Sequence, residues 1–430
     1  MARPITRREL FRRVPAWAAG AWALSRGSML LPAHAADAPP PANGVWLAGD
    51  FHCHTVLSHD VWKPSEGVNE ELYTWGWTAA EQITIAETRG LDFLAITDHD
   101  RVDTLRIPGY ASDALTLVPG YEHSLSGGHA GVFVPDKTVL PDIVRDPDGS
   151  KSFPTDAGLL RFLASVRERG GLAVLNHPFY GNSEEGEAVA WGYSVGASRG
   201  FDAIEVWNIG WPARHDTTVF ADPDNYRSAP WWEDQFLPFG RPGAVGGSDN
   251  HWRSTTALQG VGQPTTWVYA ANRSPGAILD AVRAGRTTIS AEPPLLLGTR
   301  LELSAREDWR GGAEAMVGGK LRTEGPLEVT VRMENGTGSR LRLISTGRVV
   351  GETPILLPSE EHTFRVVLPR RGWLRAEAYL EPGLWMSALT SAIHGYTAAP
   401  LSFRAAPTTG PRVSYGGELP TAPLTENLPL

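Results

Sequence analysis

Two histidines separated by a single residue lie near the start of the chain, in Gly-Asp-Phe-His52-Cys53-His54-Thr. Alternate side chains of an extended strand point to the same face, so both imidazoles should face one way and Cys53 the other. Two imidazoles on one face can bind a transition-metal ion. A pair of strand histidines without a metal fits this short motif equally well, so the rest of the chain must decide.

Further side chains of the metal-binding type recur where predicted strands end. Nine candidates exceed the roughly four ligands that one zinc ion takes, so the pattern predicts two or three divalent ions bridged by carboxylates such as Glu122 or Asp249. Mixed nitrogen and oxygen ligands suit Zn, Mn or Fe, and the ligand types do not distinguish among these metals. The nine candidates are His52, His54, Asp60, His99, Glu122, His129, His177, Asp249 and His251.

A metal cluster of this kind predicts hydrolysis. Two ions ~4 Å apart lower the pKa of a bound water molecule and stabilise both the attacking and the leaving oxygen. We therefore expect a metal-bound hydroxide to attack the ester bond of a small-molecule substrate. A non-catalytic exported binding protein, in which the C-terminal part recognises the partner, is the alternative.

The elements that must position these side chains alternate between strands and helices over residues 45–292. Such βα repetition predicts an α/β barrel, in which polar residues at the C-terminal ends of strands form the active site. The predicted strands are 91–96, 115–118, 129–134, 172–175, 201–206 and 244–246, and the predicted helices are 78–89, 156–169 and 274–284. In the second helix, the helical spacing of Leu159, Leu160, Leu163 and Val166 predicts the buried face.

The hydrophobic pattern of the sequence changes after about residue 293. Runs of alternating polar and apolar residues with turn signals between them predict a small antiparallel β-sandwich over residues 297–404. The Pro/Thr/Gly-rich tail, residues 405–430, is predicted to be loosely ordered. Residues 36–44 are rich in Pro and Ala and predict a linker.

Residues 1–35 resemble a twin-arginine export signal. Arg7-Arg8 precedes a weakly apolar stretch, and Ala33-His34-Ala35 follows as a cleavage pattern. The apolar stretch is short and broken, so we expect no membrane span in the mature protein, which would be periplasmic or secreted. An uncleaved amphipathic arm is the alternative.

Charge and cysteine content narrow the function classes. A net charge of -9 disfavours binding to nucleic acid or to an anionic membrane, because the chain lacks the excess positive charge that would neutralise the phosphates of such partners. With one cysteine the chain forms no internal disulfide. Twin-arginine export carries folded proteins, which suits a metalloprotein that needs no disulfide.

Taken in order, the motifs resemble those of the PHP (polymerase and histidinol phosphatase) family of metallohydrolases over residues 45–292. The matching motifs are Gly-Asp-Phe-His52-Cys-His54-Thr, Ile-Thr-Asp98-His99, Pro-Gly-Tyr-Glu122, Gly-Gly-His129, Asn176-His177-Pro178 and Gly-Ser-Asp249-Asn-His251. The resemblance implies a distorted (β/α)7 barrel with two or three metal ions at its C-terminal face. The amidohydrolase superfamily also begins with His-x-His, but its usual lysine and single terminal aspartate do not match this chain as well.

The resemblance also implies which residues share a metal ion. His59 could replace Asp60, beside which it lies. The appended β-domain looks most like an exported branch that includes carbamate hydrolases. The implied ligand sets are His52, His54, Glu122 and Asp249 for one ion, Glu122, His129 and His177 for a second, and Asp60, His99 and His251 for a third.

The predicted activity is phosphoesterase, with Asp249, His251 and Arg253 as catalytic residues and Arg253 in contact with the phosphoryl group. Arg101 and Arg241 are alternative phosphate contacts. Glu205 and Asn208 could orient the ligands or serve a purely structural role. The alternative activity is carbamate or carboxylic ester hydrolysis, with an aromatic substrate held by Trp207, Trp211, Trp231, Trp232 and Trp252.

Overall fold

The structure is a computed structural model that describes residues 39–61, 76–179, 191–209, 225–240, 242–251, 260–307, 313–322, 325–369, 371–380 and 385–396. The predicted signal segment and the predicted loose tail lie outside these residues, as do Arg241 and Arg253. No helix in the described part of the chain is long and apolar enough to cross a membrane.

Ten strands and five α-helices lie before residue 292 in the described part of the chain. The strands are β1 (Val45–Asp50), β2 (Phe93–Leu94), β3 (Thr116–Leu117), β4 (Gly120–Leu125), β5 (Gly128–Phe133), β6 (Leu172–Leu175), β7 (Ala203–Asn208), β8 (Gly243–Gly247), β9 (Thr265–Ala270) and β10 (Thr287–Ser290). The helices are α1 (Ala79–Thr88), α2 (Asp156–Glu168), α3 (Val195–Ser198), α4 (Asn225–Gln235) and α5 (Pro275–Arg283).

The three predicted helices are present because each has a local start signal. Thr78, Thr155 and Ser274 accept a hydrogen bond from the backbone of the first turn, and Thr78 forms a reciprocal capping box with Glu81. Helix α2 buries Leu159, Phe162, Leu163 and Val166, a contribution of about 1.5–3 kcal/mol for each large side chain. Leu160 was wrongly placed on this face and is 51% exposed, because the stripe follows Phe162 instead.

The strands of this region belong to two sheets. Strands β4 to β8 form one sheet in sequence order, antiparallel from β4 to β6 and parallel from β6 to β8. Strands β3, β2, β1, β9 and β10 are neighbours in the other sheet, in which β1 is parallel to β2 and antiparallel to β9. All residues of β6, β7 and β10 are buried, as expected for strands covered on both faces.

Two isolated bridges connect the edges of these sheets. Cys53 pairs in parallel with Asn250, just beyond the ends of β1 and β8, and His99 pairs in parallel with Glu122 of β4. The bridges therefore bring the segments that follow β1, β2 and β8 next to β4. These segments carry most of the candidate metal ligands.

The chain is a mixed α/β protein with several sheets, but the regular (β/α)7 alternation is not observed. A 3₁₀-helix at Asp103–Arg106 stands between β2 and β3, and β4 turns directly into β5 as an antiparallel hairpin. Helices are therefore fewer in the described residues than seven βα units require. The closed barrel stays a prediction.

Ten strands lie in the described residues between 300 and 396. They are β11 (Arg300–Glu307), β12 (Glu314–Met316), β13 (Lys320–Arg322), β14 (Leu327–Glu334), β15 (Ser339–Ser345), β16 (Arg348–Pro354), β17 (Ser359–Val366), β18 (Trp373–Leu380), β19 (Trp385–Thr390) and β20 (Ile393–Tyr396). Strands β12, β11, β14 and β17 form an antiparallel sheet, and the buried residues of β11 and β14 alternate with residues that are mostly half-buried. Its buried residues share a core with those of β15 and β18.

The second C-terminal layer continues the sheet that contains β1. Strand β19 pairs with β10 in antiparallel register, from Thr288↔Thr390 to Ser290↔Ala388. Hydrogen bonds between Thr287, Ser391 and the carbonyl of Ala244 add side-chain contacts at this junction. One 11-stranded sheet thus runs across the predicted boundary at residues 292–297.

A buried group of three charges also joins helix α4 to strand β18. The guanidinium of Arg375 contacts the carboxylates of Glu233 and Glu377, and all three side chains are buried. Two carboxylates share one guanidinium, so the group has an excess negative charge. Burial and the charge of Glu377 raise the pKa of Glu233 to about 7, despite the opposing effect of Arg375.

This raised pKa predicts that the protein loses stability as pH rises. Neutral Glu233 stabilises the fold below its unfolded pKa of about 4.5, and the contribution disappears as pH passes 7, a difference on the order of 3 kcal/mol. In Glu233→Gln the free energy of unfolding should fall less between pH 5 and pH 8. Urea denaturation at the two pH values measures this change. Glu168→Gln, at an exposed position of α2, should follow the unsubstituted protein, and an equal response of both variants would contradict the assignment.

Candidate metal centre

All nine sequence-predicted ligands lie together beside the bridged edges of the two sheets. His52 and His54 follow β1, His99 follows β2, and Glu122 and His129 lie on the paired strands β4 and β5. The other members are His177, which follows β6, Asp249 and His251, which follow β8, and Asp60, which lies in the loop after His54.

The most buried group contains His52, His54, Glu122 and Asp249. The Nε2 atom of His52 is 3.1 Å from both Glu122 Oε2 and Asp249 Oδ1. The Nε2 atom of His54 is 3.3 Å and 3.0 Å from the same two oxygens. The two Nε2 atoms are themselves 3.1 Å apart. This group matches the ligand set that the PHP resemblance implies for one metal ion.

A second group surrounds Asp60. Its Oδ2 atom is 3.1 Å from His99 Nε2 and 2.7 Å from His251 Nε2, and the ring of His54 stacks on that of His251 at 4.1 Å. His59 is exposed, with its ring centre 4.9 Å from that of His99. The carboxylate of Asp60, not the imidazole of His59, therefore reaches the other ligand atoms.

Glu122 lies between the remaining histidines and the first group. Its Oε2 atom faces His52, His54 and His99, whereas Oε1 is 3.3 Å from His129 Nδ1 and 3.1 Å from His177 Nε2. A carboxylate with imidazoles on both oxygens can bridge two ions. The contacts of Oε1 correspond to the second implied ligand set. The ligand atoms that lie within 4.8 Å of one another are, however, grouped differently: those of His99, Glu122 and His129 form one group, and those of His52, His177 and Glu205 form another.

Two hydrogen bonds fix the tautomers of the central histidines. An ionised carboxylate only accepts, so the 3.0 Å contact between His52 Nδ1 and Glu205 Oε1 places the proton on Nδ1. Ser58 donates its hydroxyl hydrogen to Asp60, so it accepts from His54 Nδ1 at 3.2 Å. Both Nε2 lone pairs consequently point into the cluster.

These residues fit divalent metal ions. If both imidazoles are neutral and protonated on Nδ1, their Nε2 lone pairs lie 3.0–3.3 Å from oxygens of two carboxylates. Such an arrangement is repulsive unless a positive charge stands among the atoms, either as protons on the imidazoles or as a cation. The nitrogen and oxygen donors match the preferences of Zn, Mn and Fe.

The electrostatics of the cluster favour a cation. Burial alone would raise the pKa of Glu122 and Asp249, but the neighbouring imidazoles hold both values well below their usual range. Burial likewise opposes protonation of His54, yet hydrogen bonds and charges from Asp249 and Glu122 raise its pKa to about 10. The same negative field that raises this pKa would attract a divalent ion.

A buried carboxylate ties together the backbone behind the cluster. Asp50 Oδ1 accepts from the amides of His52 and Ser248, at 2.9 Å and 3.1 Å, and Oδ2 accepts from Gly262 at 2.7 Å. The amide of Asp249 also donates to the His52 carbonyl at 2.7 Å. The ends of β1 and β8 are thereby held together, which places His52 beside Asp249.

Two candidate ligands have left-handed backbone conformations, with φ of 20° at His177 and 45° at Asp249. Residues other than glycine rarely adopt such angles, and they cluster at functional sites. Hydrogen bonds from both backbone amides, to Glu205 and to the His52 carbonyl, compensate for this strain.

Ser58 is a residue of the cluster that sequence reasoning missed. Its hydroxyl contacts His54 and Asp60, and it also accepts from the backbone amide of His99 at 3.1 Å. The single hydroxyl thus contacts three candidate ligands. Nothing in the sequence distinguishes it from other loop serines, except that it lies two residues before Asp60 and four after His54.

The predicted substrate contacts are only partly present in the described residues. Arg101, an alternative phosphate contact, has its guanidinium hydrogen-bonded to Asp103 and to the carbonyl of Leu57. Trp207 and Trp232 are 1% and 0% exposed, so they are core residues and not walls of a cleft. Trp231 is half-buried. Arg253, Arg241, Trp211 and Trp252 lie outside the described residues.

The chain is similar to several solved structures at 16–18% sequence identity. No protein-family model and no curated protein matches the chain. A two-domain Bacteroides vulgatus protein, described as containing a predicted PHP-like metal-dependent phosphoesterase, is 17% identical with a TM-score of 0.41, over 82% of this chain and 97% of its own. A proposed metal-dependent phosphoesterase from Bifidobacterium adolescentis is 18% identical with a TM-score of 0.30, over 52% of this chain and 92% of its own. An amidohydrolase from Chromobacterium violaceum is 16% identical with a TM-score of 0.27, over 49% of this chain and 88% of its own.

The opposite faces of the His-x-His motif give a direct test. His54 is buried among the ligand atoms, whereas Cys53 is buried on the other side and its thiol points to the Ala95 carbonyl at 3.5 Å. His54→Ala should lower the bound metal by at least one ion per chain, because both central groups lose a nitrogen. Cys53→Ala should retain the full metal content. Elemental analysis of the purified proteins measures both, and metal loss in Cys53→Ala would contradict the geometry.

The choice between Asp60 and His59 can be tested in the same way. Asp60→Asn should weaken metal binding by about 10-fold or more, because the charged carboxylate that shares an ion with His99 and His251 becomes a neutral amide. His59→Asn should bind metal as the unsubstituted protein does. Competition with a chromogenic chelator measures both affinities. The reverse order of effects would assign the ligand to His59.

Proposed function

We propose that this protein is a metal-dependent hydrolase of phosphate esters, related to the PHP metallohydrolases. The observation that supports the proposal is the buried cluster in which Glu122 faces imidazoles through both oxygens while Asp249 closes the first group. A cluster of this composition suits two or three divalent ions. Bound there, such ions would supply an activated water molecule and charge neutralisation for the leaving oxygen.

The exposure of the candidate ligands favours one side of the cluster for the approach of a substrate. The side chains of His52, His54 and Glu122 are at most 2% exposed, whereas His129 and His251 are each 17% exposed and Asp60 is 32% exposed. A phosphate ester would therefore enter on the side of Asp60, His129 and His251. We assign the phosphoryl contact to Arg253, which follows His251 by two residues.

The carboxylates and the imidazoles have different roles at this site. Glu122 and Asp249 supply the negative charge that holds the ions, and the imidazoles complete the ligand sets. The Nδ1 atom of His251 contacts the carbonyl of its neighbour Asp249 at 2.7 Å, which orients Nε2 toward Asp60. His251 thus lies at the exposed margin of the cluster, with 17% of its side chain exposed.

Carbamate or carboxylic ester hydrolysis by the same centre is the second candidate. Phe179, two residues after His177, packs edge-on against Trp231, with 5.5 Å between the ring centres. The guanidinium of Arg227 lies 4.8 Å from the ring centre of Phe179. Such an aromatic group beside a ligand could hold the aryl part of a substrate. This arrangement also agrees with the resemblance to exported carbamate hydrolases.

We further propose that the chain is exported by the twin-arginine route. The support is the Arg7-Arg8 motif followed by an apolar stretch and Ala33-His34-Ala35. Loading of the metal ions before export would be compatible with this route, which carries folded proteins.

The decisive experiment compares an aryl phosphate and an aryl carbamate as substrates of the purified, metal-loaded protein. We expect phosphate hydrolysis, loss of more than 90% of it after chelation, and recovery when Zn²⁺ or Mn²⁺ is returned, since water activation depends on the ions (about 10²-fold or more). Activity that survives chelation would contradict the mechanism. Faster carbamate hydrolysis would select the second candidate, and no hydrolysis of any ester would favour a binding protein.

A further inference from the structure

Glu205 is a buried carboxylate that contacts the metal centre without lying among the converging ligand atoms. It is on β7 and is 2% exposed. Its Oε1 atom accepts from His52 Nδ1 at 3.0 Å, and its Oε2 atom accepts from the backbone amide of His177 at 3.0 Å. The side-chain amide of Asn208 also donates to Oε2 at 3.1 Å.

These contacts argue against Glu205 as a metal ligand, even though it lies within ligand distance of His52 and His177. Both of its oxygens already accept hydrogen bonds from groups that hold their protons. The contact with His52 is on Nδ1, the side of the ring opposite to the Nε2 atom that faces Glu122 and Asp249. Glu205 therefore acts on the ligands from behind.

Asn208 extends the influence of Glu205 to a third ligand. Its amide nitrogen contacts Glu205 Oε2 and also Asp249 Oδ2, at 3.1 Å and 3.2 Å. An amide nitrogen has two hydrogens, one for each carboxylate. Glu205 is thus connected to His52, to the strained backbone of His177 and, through Asn208, to Asp249.

The strands around Glu205 are irregular in a way that serves this contact. The pairing of β7 with β8 shifts in register between Glu205 and Trp207, and such bulges redirect a side chain. On β8, a Cβ atom at Gly247 would lie 2.5 Å from Glu205 Oε1 and 2.4 Å from His52 Cβ. Only glycine leaves room for the carboxylate to reach the imidazole.

We infer that Glu205 is a positioning residue, which sets the tautomer of His52 and the backbone of His177 so that both rings present Nε2 to the metal ions. The inference rests on the proposed metal centre and assigns a role to a residue that is not itself a ligand. Gly247 is its structural counterpart, because it provides the space in which the contact forms.

Glutamine cannot replace Glu205 in this role. If its amide oxygen faced the backbone amide of His177, its NH₂ group would face His52 Nδ1 and move the imidazole proton to Nε2, where it blocks coordination. If its amide oxygen faced His52 instead, the NH₂ group would oppose the His177 amide. One of the two ligands is misplaced in either orientation, although the size of the side chain is unchanged.

The test titrates the metal-free proteins with Co²⁺ and follows visible absorption together with the number of ions bound. Glu205→Gln should bind Co²⁺ about 10- to 100-fold more weakly, with an unchanged number of ions at saturation. Gly247→Ala should weaken binding in the same direction, and Glu205→Asp should recover part of the affinity. In proteins with ¹⁵N-labelled histidine, the His52 proton should move from Nδ1 to Nε2 in Glu205→Gln when the new amide oxygen faces the His177 amide, a change that a purely structural role would not produce.

Glu233→Gln is the matched control, because it also replaces a buried glutamate but touches none of the ligands. It should bind Co²⁺ as tightly as the unsubstituted protein. A loss of one bound ion at saturation in Glu205→Gln would show that Glu205 is a ligand, and unchanged affinity and tautomer would show that it has no role; either result overturns the inference. Absence of Co²⁺ binding by the unsubstituted protein would instead refute the proposed metal centre.

Discussion

The structure depends on the compensation of negative charge buried at the bridged edges of its sheets. Glu122 and Asp249 are removed from water, and an isolated buried carboxylate is costly. Here each carboxylate is surrounded by imidazoles 3.0–3.3 Å away, so the stability of this region is coupled to whatever positive charge the imidazoles share. Protons and metal ions compete for the same lone pairs, so metal binding should release protons.

This compensation requires accurate placement of segments that are distant in sequence, and buried carboxylates provide it. Asp50 joins the ends of β1 and β8 through three backbone amides. Asp98 does the same for the segment after β2, since it accepts from the amide and the hydroxyl of Thr55. Ligand and support therefore alternate along the chain, with Asp50 before His52 and Asp98 before His99.

Local patterns could be predicted from the sequence, and long-range pairings could not. The common face of His52 and His54 follows from the two-residue period of extended chain, and the helices follow from caps such as Thr78. The β4–β5 hairpin and the β10–β19 pairing were not predicted, because register between strands depends on tertiary contacts. Ser58 was missed and Trp207 misplaced for a related reason: their surroundings consist of residues far away in the sequence.

The hydrogen bonds between β10 and β19 have a consequence for any shortened form of the protein. Strand β10 is covered on one side by β9 and on the other by β19. A chain that ended near residue 297 would leave the backbone groups of β10 as an open edge, a ready template for association with other chains and for aggregation. The C-terminal strands thus protect the N-terminal region against self-association.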